Sequence, residues 1–281
     1  MQTDVHIDPS ATRILRFEEV YPARAAQEQA EKRKLDAFGT FARLNPLNRP
    51  KPDTVLLSKW ELRYEPFWHV VARREVDYVH EATYSLQITN PHAQRAEIAG
   101  RGFEVLSPGG KPRIEVPVLE ACHRKIDAVL YQDGLKRQVK PAALQRYVEK
   151  YKAVEEQQLG WQGAIEPKLS SAAAIQLALS RLAAEAVDAS AIQDDRYSFE
   201  KLFLYYRPVF AFEYAWNPAG RIGVIEIDGL TGDIVEGGEW FRDKIDQVMT
   251  RDMLFDLGAE VASAAIPAGG IAVKVLHKLT Q

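Results

Sequence analysis

The sequence predicts an α+β fold: antiparallel sheets covered by helices, with a C-terminal helix-plus-meander unit. Three observations carry this expectation. Between Trp68 and Ile88, apolar and polar residues alternate at the period of a half-buried antiparallel strand. Elsewhere, apolar residues recur every three or four positions, as on the buried stripe of a surface helix. From Phe199 to Val235, short apolar runs are separated by turns too tight for anything but antiparallel neighbours.

The first helix is expected between Pro22 and Leu44, with Pro22 in the first turn and Leu35, Phe38 and Ala42 on one stripe. Asn45 to Asp53, rich in proline, reads as an extended linker. In the strand region that follows, Trp68, Val70, Ala72, Val76, Tyr78, Ala82, Tyr84, Leu86 and Ile88 share one parity, interrupted by Arg74 and His80. The run from Val55 to Ile88 exceeds an ordinary strand, so a bend or bulge is expected inside it. Shorter strands are expected at Gln94–Ile98 and Ile114–Leu119, then a helix from Pro141 to Gln157. Ser170 or Ser171 caps a helix reaching about Val187. Strands at Phe199–Tyr206, Val209–Trp216 and Ile222–Ile227 complete the meander, and Arg242 to Ala265 reads as helix. Four segments result: an arm and linker over 1–53, a first antiparallel α+β unit over 54–160, the helix-plus-meander unit over 161–241, and a helical, apolar end over 242–281.

Composition narrows the function. In 281 residues, 46% are apolar and 27% charged, ordinary for a globular chain, and the net charge of -3 lacks the concentrated basic surface that nucleic acid demands. Cys122 is the only cysteine, which excludes an intrachain disulfide and a cysteine-based zinc site. Met1 to Arg16 holds no apolar core of a secretory signal, so a cytoplasmic location is expected.

The segment from Glu166 to Glu236 resembles a PepSY-type module. The likeness rests on the small-residue helix around Ala172, Ala173, Ala174, Ile175 and Ala178 and on the closing strand and turn, Ile225-Glu226-Ile227-Asp228-Gly229-Leu230-Thr231-Gly232-Asp233-Ile234. It implies a non-catalytic binding or inhibitory module and carries over no catalytic residue. An internal repeat is also expected, because Leu62-Arg63-Tyr64-Glu65-Pro66-Phe67-Trp68 matches Leu204-Tyr205-Tyr206-Arg207-Pro208-Val209-Phe210 at Leu, Tyr and Pro, with an aromatic two residues after Pro.

Catalytic motifs are sparse. Gly100-Arg101-Gly102 and Gly109-Gly110-Lys111 lack the partners of phosphate-binding loops, and His80-Glu81 has Tyr84 where a second zinc ligand belongs. Cys122 and His123 are neighbours in sequence, which on a strand points them to opposite faces. His69, Arg73, Glu75 and Asp77 form the densest polar row and are the candidate binding residues, with no catalytic residue, cofactor or metal assigned. The function expected is a non-enzymatic interaction or regulatory module for a larger protein partner. The alternatives are a hydrolase using the His69–Asp77 face and a peripheral membrane protein held by the apolar C-terminal segment. No transmembrane span is expected: the apolar run between Glu260 and Lys274 is too short and contains Pro267, Gly269 and Gly270. The end of the chain is therefore expected to dock on its own fold or on a partner.

Overall fold

The computed structural model describes residues 4–39, 42, 49–236, 248–255 and 274–275. It corrects the expected fold class. The chain is mostly β, 51% strand against 21% helix, built on one large mixed sheet. The strands are β1 (Asp4–Ile7), β2 (Thr12–Phe17), β3 (Val55–Gln87), β4 (Arg95–Ile98), β5 (Arg101–Glu104), β6 (Arg113–Asp133), β7 (Ala153–Glu156), β8 (Gln158–Leu159), β9 (Ala191–Trp216), β10 (Arg221–Asp228), β11 (Ile234–Glu236), β12 (Met249–Thr250) and β13 (Lys274–Val275). The helices given by the described residues include α1 (Ala23–Arg33), α2 (Pro141–Lys150), α3 (Ser171–Ala183) and the single turn α4 (Arg251–Leu254).

Two long strands organise the sheet. β3 and β9 pair antiparallel from Val55↔Trp216 to Val79↔Ala191, with register shifts at Leu57/Lys59, Val71/Ala72 and Asp77/Tyr78 that take up the bending expected of so long a strand. β6 lies on the far side of β3. The other edge of β9 is shared by β10, antiparallel, and by β2 and β1, which run parallel to it. The parallel pairs depart from the expected all-antiparallel arrangement. They come from Asp4–Phe17, whose partners lie far away in sequence.

The strands expected to be separate on either side of Pro208 are one continuous strand, and Pro66 likewise lies inside β3. The Pro66 carbonyl accepts a hydrogen bond from Gly134 N at 2.9 Å and the Pro208 carbonyl one from Gly229 N at 2.9 Å. A residue in an antiparallel ladder points its N–H and C=O to the same side. Each proline ring nitrogen therefore faces the end of the neighbouring strand, away from the β3–β9 ladder, and no ladder bond is lost.

The repeat is present, and its halves face each other. Glu65 pairs with Arg207 at the centre of a local pseudo-twofold axis, with Pro66 opposite Tyr206 and Pro208 opposite Tyr64. The equivalence extends outward. Phe67 pairs with Asp133 and Val209 with Asp228, and both aspartates are followed by Gly-Leu. A Cβ on Gly134 would lie 2.7 Å from the Pro66 carbonyl oxygen, and one on Gly229 would lie 2.9 Å from that of Pro208, so only glycine permits these approaches. The segments before the helices are exchanged between halves. Tyr21 N donates to Gly229 O at 2.8 Å, and Leu169 N donates to Gly134 O at 2.9 Å.

The helices follow the same exchange. α1 packs on β9 and β10 of the second half, and α3 packs on β3 and β6 of the first. Both lie on the face formed by Trp68, Val70, Ala72, Leu204, Tyr206, Phe210, Phe212 and Tyr214, all buried. Ser170 caps α3, its hydroxyl accepting from Ala173 N at 3.3 Å. The opposite face, with Phe17, Phe67 and Tyr205 stacked together, is covered by Leu144 and Tyr147 of α2.

The predicted helices are shortened: α1 stops at Arg33, α2 at Lys150 and α3 at Ala183. Most of the helix expected over 242–265 and the break at Pro267 lie outside the described residues. The part described is strand β12, paired with β8, and the turn α4. It docks on the body, with Phe255 edge-on to Trp68 at 5.7 Å between centroids.

Candidate functional site

Three places hold concentrated side-chain chemistry. The first is the polar row singled out from the sequence. Arg73 pairs with Asp127 at 2.7 Å and with Glu200 at 3.4 Å, and Glu75 pairs with Lys125 at 3.1 Å. Asp77 accepts from His123 Nδ1 at 2.6 Å and meets Arg196 at 3.5 Å. These contacts run across β6, β3 and β9 on an open face and form a ladder of exposed ion pairs. His69 is not part of it. It is buried, stacked on Tyr131 at 4.4 Å between centroids, and its Nδ1 has no hydrogen-bond partner among the described residues. Burial, helped by the nearby Lys201 charge, pulls its pKa from 6.5 to about 4, so the ring is neutral. The structure thus brings Arg73, Glu75 and Asp77 together and leaves His69 without an acid, so the row contains no acid–base pair around the histidine.

The second place was not singled out from the sequence. On the pseudo-twofold axis, Glu65 is fully buried among three guanidinium groups. Arg63 Nη2 donates to Glu65 Oε1 at 2.7 Å and to Glu226 Oε1 at 2.7 Å. Arg207 donates to Glu65 Oε2 at 2.8 Å and Asp228 Oδ2 at 2.6 Å, and Arg137 to Glu65 Oε2 at 2.7 Å and Asp133 Oδ1 at 2.8 Å. Tyr147 adds a hydroxyl bond to Asp228 at 2.7 Å. Burial alone would raise the Glu65 pKa, but Arg207, Arg63 and Arg137 together outweigh it and bring it down to about 2. Both Glu65 oxygens are occupied, and both aspartates also hold backbone N–H groups of the turns that follow them. The cluster clamps the two halves together and offers no open group to a ligand. Its one sequence signal was the second Asp-Gly-Leu, at Asp133-Gly134-Leu135, echoing Asp228-Gly229-Leu230.

The third place is an arm. The hairpin of the second half closes just after the pair Trp216↔Arg221, through Asn217–Ala219 and Gly220. Its counterpart in the first half, Arg74↔Ile126, does not close; β3 and β6 run on together to Gln87↔Arg113. Residues 75–125 therefore have no equivalent in the other half. β9 accompanies the hairpin only as far as Val79, so His80 to Glu120 project as a two-stranded arm ending in the small β4–β5 ladder. No protein-family model, curated protein or solved structure matches this chain.

The arm is amphipathic. Ala82, Tyr84 and Leu86 of β3 lie opposite Val118, Val116 and Ile114 of β6, on the same parity as the core face of the body. In the body that face lies under α3; along the arm Tyr84 and Leu86 are 48% and 44% exposed, Ala82, Val116 and Val118 are half-buried, and Ile114 is buried. The reverse face carries Glu81, Thr83, Ser85 and Gln87. Among the described residues no three His, Cys, Asp or Glu side chains are arranged to hold a metal ion, and no helix is long and apolar enough to cross a membrane.

Proposed function

We propose that this protein is a non-catalytic interaction module that binds a protein partner along the apolar face of its hairpin arm. The observation that carries the proposal is the arm itself. It is an insertion into one of two halves that share a strand order, and it continues the core face past the helix that covers that face in the body. Apolar surface exposed on a protruding element is suited to protein contact, because covering it removes Tyr84 and Leu86 from water. The same order in both halves, helix, long strand, hairpin strand and Asp-Gly-Leu turn, supports extending the PepSY-like reading to the whole chain as a tandem pair. With its single thiol, Cys122, unpaired, we place its work in a reducing compartment, the cytoplasm.

The test is capture of partners by the intact tagged protein, compared with a Tyr84→Lys/Leu86→Lys variant. Both side chains are exposed, so the variant keeps its fold, checked by its circular dichroism. Partners held by the parent and lost by the variant support the proposal. Capture of the same proteins by both, or of none by either, defeats it.

A further inference from the structure

Resting on the arm as the interaction surface, we infer that its partner is a second copy of this chain, joined antiparallel along the outer edge of β6 in a register centred on Cys122. One side of β6 is taken by β3. Among the described residues, the only ladder contact on its other side is the bridge between Arg113 and Leu106, with Arg113 N donating to Leu106 O and Leu106 N to Arg113 O, both at 2.8 Å. That bridge sets the parity: Arg113 points its backbone groups outward, and so do the odd-numbered residues that follow it. Among the described residues the edge beyond that bridge is long and carries no other strand, the condition under which strands add to one another.

The side chains of β6 are nearly palindromic about Cys122. In the centred register, Val118 faces Ile126 of the second copy, apolar against apolar at both ends of the pairing. Glu120 faces Arg124, and by symmetry Arg124 faces Glu120. Shifting the register by two residues either way places Glu120 against Cys122 or Ile126 and Arg124 against Val118 or Cys122, and both charge pairs are lost. The backbone agrees with the side chains. Centring on an even residue sets the outward-bonding residues opposite each other, Leu119 on Lys125 and Ala121 on His123, as a hydrogen-bonded ladder requires. Pro117 has no N–H to offer outward, so the ladder ends beside it and runs from Val118 to Ile126.

Residues opposite each other in antiparallel strands share a face, so the arm's Val118 comes to lie beside Ile126 of the second copy, on the side its α3 covers. Leu119, 71% exposed, gains the aliphatic stem of Lys125 across the ladder. Arg124 already donates to Ala186 O at 2.7 Å and to Glu185 Oε2 at 3.3 Å, and Glu120 accepts from Tyr84, which holds both side chains at the edge.

Cys122 reports on the register because it is the only thiol. A non-hydrogen-bonded antiparallel pair sets Cα atoms about 4.5 Å apart, inside the range of about 4.4–6.8 Å that a disulfide spans. We would measure the mass of the intact protein in solution by light scattering, then treat it with diamide, which takes one hydrogen from each of two thiols as the S–S bond forms. The expected result is a dimer that diamide converts to a Cys122–Cys122 linked species. Glu120→Arg alone or Arg124→Glu alone sets like charges opposite each other and should weaken the dimer by about ten-fold or more, while the double exchange restores it. A parent protein that stays monomeric, a dimer indifferent to both exchanges, or a dimer that diamide does not link would overturn the inference. A monomer that still captures other proteins through Tyr84 and Leu86 would sink self-pairing and leave the arm proposal standing.

Discussion

Glu65 faces Arg207 where the two halves of the molecule meet, and its buried carboxylate is held by guanidinium donors on both oxygens. Removing one partner from such a cluster leaves charge buried without compensation. Glu65→Gln should therefore cost about 3–5 kcal/mol, read from urea unfolding at neutral pH. The parent should lose stability in acid for the same reason. With its pKa lowered from 4.5 to about 2, the carboxylate contributes fully above 4.5 and progressively less as pH falls toward 2, and the variant should lack that limb. His69 acts at milder pH. The unfolded chain takes up its proton near 6.5 and the folded protein only near about 4, so stability should fall between those values as the unfolded state gains the proton first. His69→Phe keeps an aromatic ring against Tyr131 and should flatten that slope in melting curves taken from pH 7 to pH 4.

At the level of elements, the first hairpin is the second hairpin with an arm built into it. If so, the arm is dispensable for folding. Replacing residues 80–120 with the turn of the second half, Asn-Pro-Ala-Gly, joins Val79 to Ala121, which already pair, beyond the last β9 contact. The shortened protein should keep a cooperative melt and its far-UV spectrum while losing partner capture. An unfolded product would show instead that the arm is part of the body. The helices are less separable. α3 depends on Ile175, Ala178, Leu179 and Leu182 meeting β3 and β6, so its stability comes mainly from the other half of the chain.

Over the whole molecule, the exchange of helices makes the halves interdependent. α1 covers strands of the second half, α3 covers strands of the first, and the Tyr21 and Leu169 backbone bonds cross in the same way. Splitting the chain after Gln157 should therefore yield two fragments that lack a cooperative melt alone and regain it when co-expressed. A first fragment that folds by itself would contradict this interdependence.

Much of the local structure is legible in the sequence, because caps, stripes and alternation act within a few residues. Pro22, Pro141 and Ser170 start helices where expected, and the alternation from Trp68 onward divides an apolar face from a polar one. Arg74 interrupts that face because it buries a charge against Asp195 at 2.8 Å, a partner that local pattern cannot supply. What tertiary structure alone decided is pairing at a distance. Whether Pro66 and Pro208 break a strand depends on where β6 and β10 stop, and whether Asp4–Phe17 forms strands depends on β9. Arg63, Glu65, Arg137 and Arg207 read as scattered surface charges until the fold closes around them. Spacing along the chain records steric and hydrophobic preference residue by residue. Burial, and the electrostatics that burial magnifies, come only from what the folded chain brings alongside.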